Sequence, residues 1–64
     1  MKGIVIWYDI RKGYGFIRGI DGKDVFVHRT AIPFWNIYLA KGNKVEFSIK
    51  NSKRGINATN IKVL

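Results

Sequence analysis

The 64-residue chain contains no cysteine and only one histidine, His28. Neither a disulfide framework nor a thiolate metal site can be built from it. A histidine-based metal centre would need carboxylate help, and the chain has only four Asp and Glu. No apolar run approaches the ~20 residues that span a bilayer. The N-terminus carries Lys2 but neither a continuous apolar stretch nor a small-residue cleavage site. These absences argue against a cofactor, a metal and a membrane-spanning segment; neither a membrane partner nor a small-molecule substrate is expected, and a cytoplasmic location follows by default. A chain this short buries only about 60% of its unfolded surface, which leaves little room for an enclosed catalytic pocket. No catalytic residue is expected. His28 has no nucleophile or acid partner in its motif, and Asp21 and Asp24 read as a solvated pair beside a turn rather than a nuclease metal site.

Positive charge, by contrast, is abundant. Twelve Lys and Arg against four acids give a net charge of +8 and a pI near 10.2. That balance favours a polyanionic partner, either nucleic acid or an acidic membrane surface. It is also compatible with plain solubility, and it does not separate RNA from DNA or from lipid.

Strand formers dominate the rest. Gly3–Ile10 reads as a first strand, although apolar residues occupy both of its parities. Either a β-bulge shifts the facing, or one face is core and the other a binding surface. A charged turn, Asp9–Gly13, leads to a second strand over Gly13–Gly19. Asp21-Gly22 is a hairpin signal, followed by a third strand over Asp24–His28. Arg29–Asn43 is the least regular part and holds the only proline, Pro33. A single helical turn there would let Ile32 plug the core. After the Lys41-Gly42-Asn43 turn, Lys44–Lys50 alternates cleanly, with Val45, Phe47 and Ile49 inward. A basic turn with Lys53 and Arg54 precedes the last strand, Ile56–Val63. Ala58 and Ile61 differ in parity there, so an irregularity is expected before Ile61. The 64 residues are read as one domain, and five short strands with tight turns suit a closed barrel, which has no exposed edges.

The stretch Lys12-Gly13-Tyr14-Gly15-Phe16-Ile17 and its neighbour Val25-Phe26-Val27-His28 carry the functional signal. Side chains alternate across a strand, so Tyr14, Phe16 and Arg18 share one face of their strand, Phe26 and His28 share one face of theirs, and the two strands together offer an aromatic platform on one side. Ile17, Val25 and Val27 then fill the opposite face. A small barrel holds only one set of large side chains inside, so the aromatics are expected outside. Aromatic rings beside basic residues suit the stacking of unpaired bases.

Trp7-Tyr8, Lys12-Gly13-Tyr14-Gly15-Phe16-Ile17 and Asp24-Val25-Phe26-Val27-His28, in this order and spacing, resemble the cold-shock domain. Ala31-Ile32, Gly42 and Arg54-Gly55 agree with it, so the resemblance covers essentially the whole chain. It implies an all-β, five-stranded antiparallel OB-fold barrel. Its partner would be single-stranded RNA or DNA, bound with low sequence specificity as by an RNA chaperone. Carried over, the stacking residues are Trp7, Tyr14, Phe16, Phe26 and His28, with Tyr8 flanking and Lys12 beside the phosphates. Trp35 is the choice for a further ring from the long loop, where Phe34 and Tyr38 compete. Arg18, Arg29, Lys53 and Arg54 would complete a basic rim. Two departures stand out: Ile6 where the family commonly has lysine, and Arg29 where it has an aromatic.

The RNA-recognition fold, which shares a similar first motif, needs two helices that this chain lacks. An accessory or protein-interaction barrel of a larger ribonucleoprotein is the remaining alternative. A monomer is expected, with strand exchange between copies as the other outcome.

Overall fold

The computed structural model describes residues 1–32, 39–53 and 55–64. Five strands follow one another: β1 Lys2–Asp9, β2 Tyr14–Gly19, β3 Asp24–His28, β4 Lys44–Ser52 and β5 Gly55–Val63. They close into a barrel in the order β1-β2-β3-β5-β4. Neighbours are antiparallel except β3 and β5, which run parallel and meet at Phe26 and Asn57. The expected all-β barrel is therefore what forms.

The turns are set by side chains that hold the backbone locally. The Asp9 carboxylate accepts the Lys12 amide at 3.0 Å, and its carbonyl accepts the Gly13 amide at 2.7 Å. Gly13 sits at φ +75°, where glycine alone avoids a steric cost, and the stem of Arg29 lies over its bare Cα. Asp21 holds the Lys23 amide at 3.1 Å in the Asp-Gly turn. Asn43 accepts the Ala40 amide at 2.8 Å before β4.

The first strand resolves its ambiguous parity by a bulge. Val5 pairs with Ile17, but Trp7 pairs with Phe16, so Ile6 is the extra residue. Before the bulge odd positions face inward; after it they face outward. Val5 is thus buried and Trp7 exposed, although the two are of the same parity. Gly15 is needed where β1 curls most closely over β2. A Cβ there would collide with the Trp7 carbonyl and the Tyr8 Cα.

The core comprises Val5, Ile17, Val25, Val27, Leu39, Val45, Phe47, Ala58 and Ile61. Ile32, after a 3-10 turn over Arg29–Ala31, packs against it as expected. The irregularity expected before Ile61 lies at Asn60, the non-glycine residue with positive φ (52°) among those described. The β4–β5 register shifts there, which turns both Ala58 and Ile61 inward. One expectation is corrected. Ile49 keeps the inward parity opposite Ala58 but remains 42% exposed. β4 pairs with β1 only over Lys44–Glu46, so its second half has β5 alone as a partner strand and an open edge on its other side.

Candidate nucleic-acid interface

The outward face of β1–β3 gathers four aromatic rings into a closed circuit. Trp7 contacts Tyr14 and Phe16, with ring centroids 5.6 and 6.4 Å apart. Phe26 contacts the same two rings, each at 5.9 Å. The Tyr14–Phe26 pair is stacked and the Phe16–Phe26 pair edge-on. Register dictates this grouping, because Phe16 stands opposite Trp7 on one side and Phe26 on the other. Trp7 and Phe16 are 44% and 40% exposed, whereas Ile17, Val25 and Val27 on the reverse face are buried. Rings that touch edge to face hold one another in place, so the surface is ordered without a ligand.

His28 extends this face, opposite Tyr14. Its Nδ1 accepts the Thr30 amide at 3.2 Å and lies 3.0 Å from the Thr30 hydroxyl, which caps the 3-10 turn. The ring is therefore held by a structural bond while one side stays half-exposed. Tyr8 departs from the expected flanking position. Past the bulge it turns inward opposite Gly15, and its ring packs against the core. Burial pushes its hydroxyl pKa up, an effect partly offset by the charge of Arg29.

Exposed cations lie on the neighbouring turns and strands. Lys12 tops the β1–β2 turn, and Lys53 lies in the β4–β5 turn. Arg18 is held through Nε by Asp24 at 2.9 Å, a bond that favours its charged form. Arg29 does not stand beside His28 on the aromatic face. It follows the opposite parity, and its stem covers Gly13 at the barrel end. Trp35, Phe34, Tyr38 and Arg54 lie outside the described residues.

Two residues near the rings were not anticipated. Lys50 and Asn57 line a hollow of about 210 Å³ together with Phe26 and His28. Nothing local in the sequence marks them, since they reach Phe26 only through the parallel closure of β5 on β3. Among the described residues no group of three or more His, Cys, Asp or Glu could hold a metal ion.

A closed five-stranded barrel with aromatic rings on its first three strands defines the class: a small oligonucleotide-binding type of barrel. The chain belongs to the 'Cold-shock' DNA-binding domain family, whose profile matches residues 1–64. It is 46% identical to a cold shock-like protein of Thermotoga maritima, over all of this chain and 98% of that one. It is 48% identical to cold shock-like protein CspB of Escherichia coli K12, over 95% of this chain and 89% of the relative. The structure of drosophila Unr CSD456 superposes with a TM-score of 0.81 at 23% identity, over 98% of this chain and 26% of that one, a likeness of fold alone. Family members bind nucleic acid.

Proposed function

We propose that the protein binds single-stranded RNA or DNA with low sequence specificity and acts as a cytoplasmic RNA chaperone of the cold-shock type. Trp7, Tyr14, Phe16 and Phe26 stack successive bases, and His28 extends the row. Lys12, Arg18, Arg29 and Lys53 attract the phosphates, with Arg54 and Trp35 of the undescribed segments completing the site. The observation that carries this reading is the facing of the rings. They meet water in one contiguous group, while Phe47 and aliphatic residues fill the barrel.

Stacking is available only to unpaired bases. A bound strand is withdrawn from hairpins by mass action, without any input of ATP. Each stacked base contributes on the order of 1–3 kcal/mol. Phe16→Ala or Phe26→Ala is therefore expected to weaken binding of a short oligopyrimidine by roughly 5- to 150-fold. Circular dichroism checks that the variant is folded, and a matched duplex serves as the weak-binding control. Unchanged affinity in a folded variant defeats the stacking surface.

A further inference from the structure

The outward face of β1 and β2 does not end at the rings. Beyond Phe16 comes Arg18, opposite Ile4, and then Ile20, whose amide bonds the Lys2 carbonyl at 3.0 Å. Ile4, Ile6, Arg18 and Ile20 line a cleft of about 420 Å³. A hollow of about 210 Å³ shares Ile4 and Ile20 with it and runs on towards Lys44 and Leu64. The combined groove is almost wholly aliphatic, yet Ile4 is 50% and Ile20 79% exposed. The main cleft falls in the roughly 300–1,000 Å³ range of ligand clefts.

We infer that this groove is an additional nucleotide subsite, which receives the single strand as it leaves the aromatic surface. The inference rests on the proposed function and lengthens the site it describes. Continuity argues for the strand as occupant. Ile6 is the bulge residue next to Trp7, and Arg18 follows Phe16 on the same face of β2, so no element intervenes. Charge argues in the same direction. Lys2 and Lys44 border the groove, and Arg18 is fixed in its wall by Asp24. A base could lay its flat face on the isoleucines while its phosphate meets these cations. A second copy of the chain would bring another +8 to the same place, and that repulsion opposes self-association. The isoleucine walls present no hydrogen-bond pattern and Arg18 is engaged by Asp24, so the subsite adds affinity and length rather than base choice. Ile6 then has a positive role as a wall of the groove.

The test is a length series of oligothymidylates titrated against the wild-type chain and the Ile4→Ser and Ile20→Ser variants. Both side chains are exposed enough for the substitutions to leave the core intact. Strands just long enough for the aromatic rings should bind all three proteins equally. Strands a few nucleotides longer should bind the wild type roughly three- to tenfold tighter, and the variants should lose that gain. Equal affinity of variants and wild type at every length overturns the subsite but leaves the aromatic surface standing. Failure of the wild type to bind even short strands removes the aromatic surface and the subsite with it. Sedimentation without nucleic acid covers the other occupant: a dimer abolished by Ile20→Ser would give the groove to a second copy and overturn the proposal.

Discussion

Tyr8 is turned inward by the bulge at Ile6. One position before Tyr8, Trp7 points to solvent; Tyr8 itself closes over the core opposite Gly15. Removing its hydroxyl partly from water raises its pKa above the ordinary 10.0, with Arg29 pulling weakly the other way. The unfolded chain therefore loses this proton first as pH rises. Stability from the neutral phenol is fully present below about pH 10 and is lost as pH climbs through the raised value. Unfolding free energy, measured in urea from pH 8 to 11, should fall at the alkaline end. The fall should be smaller in Tyr8→Phe. All other ionisable groups are the same in both chains, so the difference isolates Tyr8, and identical pH profiles would contradict this account. His28 shows a different economy at the same scale. Its Nδ1 serves the Thr30 cap while its ring extends the aromatic face, so the structural and the binding interpretations of this histidine are compatible.

At the scale of elements, two irregularities steer the strands. The Ile6 bulge brings Trp7 out to Phe16, and the Asn60 kink lets Ala58 and Ile61 both face inward. The kink has a specific chemical requirement. Asn60 stands at φ 52°, a region that asparagine and glycine tolerate and β-branched residues do not. Asn60→Gly should leave stability within about 0.5 kcal/mol, whereas Asn60→Val should cost about 1–2 kcal/mol. Asn60 is exposed, so loss of packing does not confound the comparison. Thermal or urea unfolding reads the difference, and equal stability of the two variants would show that the kink is not under conformational constraint. The second half of the β4–β5 pair is the counterpart of these local devices. It leaves Ile49 and Ile56 each 42% exposed but brings Lys50 and Asn57 next to Phe26 and His28.

For the whole molecule, charge sets the behaviour. A net +8 is spread over a body with a radius of gyration of 10.3 Å, close to the ~10 Å Debye length at 0.1 M salt. Arg18–Asp24 is the single salt bridge found among the described residues, and both partners are exposed. Repulsion among the remaining cations is therefore relieved by added salt, and a bound polyanion relieves it as well. The two effects give salt responses of opposite sign. The free protein should gain stability as salt rises from about 10 to 200 mM. Over the same interval oligonucleotide affinity should fall, each neutralised phosphate adding about −0.7 to the log–log slope. Calorimetry of the free chain and fluorescence titration of the complex measure the two responses. A flat binding curve would count against the basic rim.

By itself the sequence determined the number and order of the strands, the turns at Asp9–Gly13 and Asp21-Gly22, and the outward facing of Tyr14, Phe16 and Phe26. These follow from period-two alternation and from residues that act on their immediate neighbours, so a few consecutive positions contain the information. The facing of β1 was not settled by parity: apolar residues on both faces are compatible with a bulge or with a binding surface, and the choice depends on the fit of two strands. The inward turn of Tyr8 follows from that choice. Ile49 has core parity, yet only the tertiary structure shows that β4 outruns its partner strand and leaves the position open to water. Lys50 and Asn57 join the site, and Ile4, Ile6 and Ile20 form a groove, for the same reason. Barrel closure and strand pairing bring distant positions together, and which positions meet depends on the register of the whole sheet rather than on any one segment.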